Sequence, residues 1–298
     1  MKRLLIIGCG DVGLRVALLL SRRHRIHALT HSMDRFAELR RHGIIPLHGD
    51  LDWPDTLEGI AGLAHDVIHL APPPPRGRND ARTAHLIAAL ARGGSLPQHF
   101  VYISTSGVYG DCGGALIDET SPLRPQTDRA RRRADAERRL REWGARSGVR
   151  VSILRVPGIY AADRLPVARI ERGTPALQPQ DDSYVNHVHA DDLARMIVAA
   201  LHRGQANRSY NASDDAPQKM GDYFDLVADR FRLPRPPRVT RAEARLSIPE
   251  NLYSFMNESR RLANVRIKQE LRVRLRYPTV HEGVAAAGVA AQEPAHGS

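Results

Sequence analysis

Three glycines near the start of the sequence have the spacing of a phosphate-binding turn, Gly8-x-Gly10-x-x-Gly13. Residues 3–7 before them, which are apolar except for Arg3, predict a β-strand, and apolar residues at helical spacing up to Ser21 predict a helix after them. A glycine turn in this context predicts a site for the pyrophosphate of a dinucleotide, because it brings bare backbone and a helix N-terminus close to the phosphates. The alternative is a glycine-rich turn that binds no ligand. If a dinucleotide binds, we expect it to contact Gly8, Gly10, Asp11, Val12 and Gly13.

The end of the second predicted strand, residues 25–30, bears on which dinucleotide is bound. An acidic residue about 20 residues beyond the glycines would bind the ribose 2′-hydroxyl of NAD. That place holds Thr30, His31 and Ser32, and Arg35 follows shortly after. Hydroxyls and a guanidinium suit the 2′-phosphate of NADP, so we expect NADP, with NAD as the alternative. These residues could also be ordinary surface residues, with Ser32 as a helix N-cap.

Segments typical of strands and of helices alternate along the first half of the chain. The strand segments are apolar and bounded by turn residues, as buried parallel strands are. This alternation predicts an α/β fold with a doubly wound parallel sheet, whose ligands bind beyond the carboxyl ends of the strands. Beyond the first two strands we expect strands at 44–48, 66–71, 100–104 and 151–155, and helices at 56–60, 80–92 and 127–143.

Several further motifs follow the glycine turn in order. They are Gly49-Asp50-Leu51, Ser104-Thr105, Val108-Tyr109-Gly110, Asp118-Glu119, the stretch 154–160, the stretch 186–193 and Tyr210-Asn211-Ala212. With the glycine turn they resemble the short-chain dehydrogenase/reductase superfamily, in particular its extended, epimerase/dehydratase-like branch, over nearly the whole chain. The resemblance implies a Rossmann fold followed by a smaller C-terminal substrate domain.

The resemblance also implies roles for individual residues. Thr105 takes the place of the active-site Ser/Thr, whose hydroxyl hydrogen-bonds the reacting substrate oxygen, and Tyr109 would line the substrate pocket. His187 and His189 lie where the superfamily braces its two domains, so we expect them to be structural. The residues expected along the cofactor, in addition to the glycine turn, are Asp50, Leu51, Leu70, Ala71 and Pro72.

The sequence departs from the superfamily at its acid/base pair. The usual enzymes carry Tyr-x-x-x-Lys on the helix after the active-site hydroxyl, whereas this chain has Arg129 and Arg133 in those two places. Arginine stays charged, so it cannot replace the tyrosine in proton transfer. Arg133 stands where the lysine would reach the cofactor. We therefore expect Thr105, Arg129 and Arg133 at the catalytic position, with slow or absent hydride transfer.

The helix that carries these arginines is strongly charged. It interleaves acidic residues with arginines at positions that favour (i, i+4) ion pairs, such as Asp135 with Arg139 and Glu137 with Arg141. For most of these arginines this pattern favours a solvated helix face over a binding site.

Two functions from different classes remain open at this point. One is an oxidoreductase or epimerase that prefers NADP and acts on a small substrate, which could be linked to a nucleotide. The other is a non-catalytic NADP-binding module with a regulatory or sensor role. The missing tyrosine favours the second function, whereas Thr105 and a full substrate domain favour the first.

We divide the chain into an NAD(P)-binding domain, a substrate-binding domain and a tail. The first domain comprises residues 1–208, of which 156–183 contribute to the substrate side, and the second comprises 209–287. Residues 288–298 lack periodicity and are expected to be a disordered tail. In the later part of the chain we expect a strand at 184–188 and helices at 165–172, 191–203, 217–231 and 259–271.

Composition narrows the classes of protein that fit. The chain has 298 residues and a net charge of +11, and its arginines are spread along the sequence, which favours acidic ligands but no specific nucleic acid. Its apolar runs are shorter than the ~18 residues of a membrane span. The 2 cysteines fit a reducing compartment and predict no metal cluster. We expect a cytoplasmic monomer or homodimer that binds a small molecule.

Overall fold

A seven-stranded parallel sheet forms the centre of the larger lobe in the computed structural model, which describes residues 1–290. The strands, numbered here in chain order, lie in the order β7-β6-β5-β4-β1-β2-β3. They are β1 (Lys2–Ile7), β2 (His24–Thr30), β3 (Ile45–His48), β4 (Asp66–His69), β5 (His99–Thr105), β6 (Arg150–Val156) and β7 (Arg208–Asn211). The predicted α/β fold with a parallel sheet is therefore confirmed.

Helices cover both faces of this sheet. Successive side chains of a strand point to opposite faces. In β1, Leu4 and Ile6 accordingly pack into one core, and Leu5 and Ile7 pack into the other. The larger lobe contains α1 (Asp11–Leu20), α2 (Phe36–Arg41), α3 (Ala81–Ala91), α4 (Asp128–Ser147), α6 (Ala190–Arg203) and α10 (Val265–Leu271).

The chain returns to the larger lobe near its C-terminal end. The strand β7 pairs in parallel with β6, so the predicted boundary between residues 208 and 209 falls inside a strand. Ile267 and Leu271 of α10 belong to the same buried core as Leu4. The larger lobe is therefore built from three separate parts of the sequence: the residues from β1 to β6, the segment of α6 and β7, and the segment of α10.

The smaller lobe has its own apolar core, in which Tyr160, Phe224, Val227 and Val284 are buried. Its helices are α5 (Val167–Glu171), α7 (Met220–Phe231), α8 (Arg241–Ser247), α9 (Glu250–Met256) and α11 (Val280–Ala290). Paired short strands connect its segments: Gly158–Tyr160 with His187–His189, Ala176–Leu177 with Arg238–Val239, and Tyr184–Val185 with Gln218–Lys219.

Several predicted elements differ from the observed ones. The strand expected at 184–188 is divided into two short strands in different sheets, neither of them part of the central sheet. The helix expected from 259 begins only at Val265, because Arg261–Leu262 pairs with Leu116–Ile117. The helix α11 continues through Ala290, so it overlaps the predicted tail at 288–290, and residues 291–298 lie outside the described part of the chain.

The charged helix α4 forms one of its two expected ion pairs. Arg139 Nε lies 2.7 Å from Asp135 Oδ2, as predicted. The predicted pair of Glu137 with Arg141 is wrong, because Glu137 lies on the buried face of the helix and its Oε2 is 2.8 Å from Arg155 Nη2 of β6. None of the described helices has both the length and the apolar composition required to cross a membrane.

Candidate functional site

Three adjoining cavities lie at the carboxyl end of the central sheet, with volumes of about 480, 330 and 450 Å³. The first and second share Gly8, Gly10 and Leu70 as walls. The second and third share Thr105, Arg133 and Pro157. The cavities therefore form a continuous row from the second strand to the smaller lobe.

The residues predicted to contact a cofactor all line the first two cavities. Those in the first cavity are Gly8, Gly10, Thr30, His31, Ser32, Arg35, Asp50, Leu51, Leu70, Ala71 and Pro72. Those in the second are Gly8, Gly10, Asp11, Val12, Gly13, Leu70 and Arg133. Residues distant in sequence are brought together because every loop after a parallel strand emerges at the same edge of the sheet.

Each of the three positions holds glycine for a different structural reason. Gly8 has φ +83°, and a Cβ atom there would lie 2.7 Å from the backbone nitrogen of Ala71. A Cβ atom on Gly13 would lie 3.2 Å from Cys9 Sγ, so this glycine lets α1 approach the turn closely. A Cβ atom on Gly10 would meet nothing within 4 Å, so Gly10 leaves open space in the wall common to the first and second cavities.

The start of α1 fits the phosphates of a dinucleotide. Gly10 is the N-cap of this helix, whose first N–H groups have no partner within the helix and carry partial positive charge. Asp11 adds a negative charge, but its carboxylate is compensated by Arg15 Nε at 2.9 Å and Arg164 Nη1 at 3.2 Å. Arg164 also lines the second cavity. Arg164 was not predicted as a site residue, because no sequence motif relates it to the glycine turn.

Two arginines line the first cavity. Arg35 donates through Nη1 to the Cys9 carbonyl at 2.6 Å and through Nη2 to Glu38 Oε2 at 2.9 Å. These contacts hold the guanidinium beside the glycine turn, although Glu38 offsets part of its charge. Arg82, which the sequence analysis also missed, pairs with Asp52 at 2.6 Å. The wall around the predicted 2′-phosphate is therefore rich in hydrogen-bond donors.

Thr105 ends β5 at the junction of the second and third cavities. Its Oγ1 accepts a hydrogen bond from the Gly107 N–H at 3.2 Å and so caps the following turn. A hydroxyl that accepts one hydrogen bond can still donate another. Thr105 is therefore placed to donate to a group bound at this junction.

The two arginines at the positions of the usual acid/base pair have different surroundings. Arg133 donates through Nη1 to the Ile103 carbonyl at 2.9 Å and to the Tyr102 hydroxyl at 3.0 Å, which holds it at the junction of the two cavities. Arg129, one helical turn earlier, is more exposed and lines only the third cavity. Neither side chain can act as a general acid/base near neutral pH.

Tyr109 does not line any of the three cavities, contrary to the expectation from the resemblance. It is buried, and its hydroxyl donates to Asn211 Oδ1 at 2.8 Å and accepts from Arg155 Nη1 at 2.8 Å. Burial raises the pKa of this phenol to about 12. Tyr109 therefore joins the end of β5 to β6 and β7 as a structural residue.

The outer wall of the third cavity comes from the smaller lobe and from the loop between α9 and the short strand Arg261–Leu262. Its residues include Arg169 of α5, Tyr223 and Phe224 of α7, and Glu258 and Arg260. These residues were not predicted to form a site, because they come from elements without a shared motif.

His187, expected to be structural, is buried, and its ring centroid lies 4.2 Å from that of Tyr223. Burial lowers the pKa of His187 to about 4, so it presents a neutral imidazole to the third cavity. His189 is also buried and accepts a hydrogen bond from the Asp191 N–H at 3.2 Å, which caps α6. Its imidazole packs against the Tyr277 ring, with the ring centroids 4.0 Å apart and the ring planes tilted by 40°.

Comparison with known proteins shows the family to which the chain belongs. The model of the NAD dependent epimerase/dehydratase family matches residues 5–213. The chain therefore belongs to this family, and the resemblance found in the sequence is confirmed.

The chain is also similar to individual proteins. Protein YeeZ of Escherichia coli (strain K12) is 26% identical over 246 residues, which cover 79% of this chain and 86% of YeeZ. A functionally unknown conserved protein from Silicibacter pomeroyi DSS superposes with a TM-score of 0.83 at 28% identity, covering 97% of this chain and 99% of the other. The dTDP-glucose 4,6-dehydratase of Bacillus anthracis str. Ames, solved in complex with NAD, superposes with a TM-score of 0.77 at 16% identity, covering 97% and 96%.

A longer plant protein also matches part of the chain. The trifunctional UDP-glucose 4,6-dehydratase/UDP-4-keto-6-deoxy-D-glucose 3,5-epimerase/UDP-4-keto-L-rhamnose-reductase RHM3 of Arabidopsis thaliana is 22% identical over 165 residues. The match covers 52% of this chain and only 25% of the plant protein.

Proposed function

We propose that the protein is an NADP-preferring oxidoreductase of the epimerase-like type, acting on a small substrate. The observation that carries this proposal is the continuous row of three cavities. A dinucleotide in the first two would bring its nicotinamide end to Thr105 and Arg133, where the third cavity begins. The third cavity would hold the substrate between the two lobes.

The preference for NADP rests on the wall of the first cavity. Its side chains include the hydroxyls of Thr30 and Ser32 and the guanidinium of Arg35. A guanidinium forms bidentate contacts with phosphate, so Arg35 suits the 2′-phosphate that distinguishes NADP from NAD. The family name and the NAD complex of the dehydratase support a nicotinamide dinucleotide, although not this preference.

The chain's own residues would bind and orient the reactants more than they would move protons. The nicotinamide, when bound, supplies the hydride acceptor or donor. Thr105 would donate a hydrogen bond to a substrate oxygen, and Arg133 would add positive charge beside it. General acid–base catalysis contributes roughly 10²–10⁴-fold, and the usual tyrosine is replaced by Arg129. We therefore propose that hydride transfer is slow.

The same replacement favours a second candidate function. A protein that binds NADP without turnover needs the first two cavities but no proton donor. Such a regulatory or sensor module would change its shape or its partners on binding NADP. The two candidates differ in whether any substrate of the third cavity is converted.

The test follows NADPH consumption with ketones, NADP⁺ reduction with alcohols and the conversion of sugar nucleotides, with NADP binding measured separately by calorimetry. We expect tight NADP binding and weak activity that Thr105→Ala abolishes. Arg129→Ala should retain the activity within about tenfold, because arginine at that place supplies charge without proton transfer. Binding with no conversion of any panel compound would favour the sensor module. Fast turnover that survives Thr105→Ala would contradict the proposed role of this hydroxyl.

A further inference from the structure

We propose that the third cavity recognises its substrate through an oxyanion group, a carboxylate or a phosphate, bound by Arg169. This inference deepens the proposed function, and it rests on that proposal only in treating the third cavity as the substrate site. Arg169 belongs to α5 of the smaller lobe and lies outside the motifs that identify the cofactor site.

The charge of the cavity wall is the first observation. Four arginines line the third cavity, namely Arg129, Arg133, Arg169 and Arg260, together with the single carboxylate of Glu258. That carboxylate is already engaged, because Arg260 Nη1 lies 2.8 Å from Glu258 Oε2. The wall therefore carries more positive than negative side chains, which favours an anionic ligand over a neutral one.

Arg169 itself is the second observation. Its guanidinium carbon lies 4.4 Å from the centroid of the Phe224 ring, and its Nε and Nη2 are enclosed without a hydrogen-bond partner. The charge that most affects it is the like charge of Arg172, and burial and this charge both lower its pKa. A desolvated charge without a counter-charge is costly, and a bound anion would offset that cost.

The position of Arg169 gives the orientation of the substrate. Thr105 and Arg133 border both the second and the third cavity, whereas Arg169 lines only the third. An oxyanion at Arg169 would therefore anchor the substrate on the smaller lobe, and the reacting oxygen would face Thr105. The fork of a guanidinium matches the two oxygens of a carboxylate or phosphate.

Calorimetry on the full chain tests this proposal in two steps. NADP is titrated first, and its binding reports on the cofactor site alone. The NADP-saturated protein is then titrated with inorganic phosphate, malonate and UDP at constant ionic strength, so that anions cannot compete at the cofactor phosphates. We expect at least one of these probes to bind. Phosphate or UDP binding would indicate a phosphorylated substrate, and malonate binding would indicate a carboxylated one.

The variants separate Arg169 from the general positive charge. Arg169→Gln should weaken binding of the probe by about tenfold or more, as the loss of a charge-assisted contact predicts. Arg172→Gln removes the same charge at an exposed neighbour outside the cavity and should leave affinity within about twofold. Both variants should bind NADP as the wild type does.

Arg169→Met keeps the apolar contact with Phe224 and serves if the glutamine variant does not fold, with the same loss expected. The proposal is overturned if no probe binds the NADP-saturated wild type, or if binding is unchanged in a folded Arg169 variant. If the wild type does not bind NADP in the first titration, that result would instead contradict the proposed function.

Discussion

At the scale of single residues, a substitution at Gly10 should change ligand binding without changing the fold. A Cβ atom at Gly10 would meet no protein atom within 4 Å, and the valine side chain of Gly10→Val would fill the path expected for the pyrophosphate. We expect this variant to fold normally and to lose nucleotide binding, as measured by circular dichroism and calorimetry. Gly94→Val is a matched control, because its Cβ position is also open and Gly94 lines none of the three cavities. Unchanged affinity in folded Gly10→Val would exclude the proposed cofactor position.

Arg35 is the residue on which cofactor choice should depend. A charge-assisted contact with the 2′-phosphate contributes about 1.5–3 kcal/mol, which corresponds to at least a tenfold preference for NADP over NAD. Arg35→Ala should narrow this preference, and added salt should narrow it in the wild type because Arg35 is partly exposed. Arg41→Ala, farther along α2, should leave it unchanged. Equal affinities of wild type for both cofactors at low salt would count against this assignment.

The sequence predicts some site residues better than others for a physical reason. The three glycines are close together and each has a backbone requirement, so their spacing alone indicates the turn. Arg164 reaches the second cavity from more than 150 residues beyond the glycine turn, and Arg169 reaches the third cavity from a short helix of the smaller lobe. An isolated arginine in an arginine-rich chain carries no such signal. Those contacts are visible only once the two lobes are in place.

At the scale of elements, Glu137 should anchor α4 to the sheet. It is buried, accepts from Ser104 Oγ at 2.6 Å and pairs with Arg155, which is also buried. Glu137→Ala leaves the Arg155 charge without its carboxylate, so we expect a loss of about 3–5 kcal/mol in the free energy of unfolding, measured with urea. Glu142→Ala on the same helix breaks an exposed pair with Arg138 and should cost at most about 1 kcal/mol. Equal losses in the free energy of unfolding for the two variants would show that the buried pair stabilises the fold no more than the exposed pair does.

The predictability of elements follows their length and periodicity. The strand β1 and the helix α4 are long enough for an apolar run or a charge pattern to identify them. Two-residue strands such as Arg261–Leu262 contain no repeat, and their pairing partner lies far away in the sequence. The helix predicted across this segment was therefore wrong in its first turns, although the same pattern located α10 correctly.

At the scale of the whole molecule, Asp214 should make stability depend on pH. Asp214 is buried, and burial raises its pKa from 3.8 to about 8. Between these values the folded state holds a proton that the unfolded state has lost, so the free energy of unfolding falls as pH rises, by up to about 1.4 kcal/mol per pH unit. The buried His69 and His187, whose pKa values are lowered to about 3 and about 4, act in the opposite direction below about pH 6.5.

The variant Asp214→Asn isolates this contribution. Asparagine is uncharged at every pH, so the variant should gain stability over wild type as the pH rises from about 5 to 8.5. Urea unfolding at these two pH values measures the gain. Asp215→Asn changes the partly exposed carboxylate next to it and should show no comparable trend. A gain that does not change with pH would show that Asp214 does not titrate in this range.

The late return of the chain to its first lobe has a consequence for how the protein is made. Because β7 and α10 complete the lobe that begins at β1, the nascent chain must be synthesised as far as Leu271 before that core can close. The smaller lobe up to α9 is thus translated before the larger lobe is complete, and α11 follows last. Slow, long-range contacts therefore govern the last step of folding. A fragment ending at residue 208 would expose the apolar surface that α10 covers, and it would be prone to aggregation instead of forming a free-standing nucleotide-binding unit.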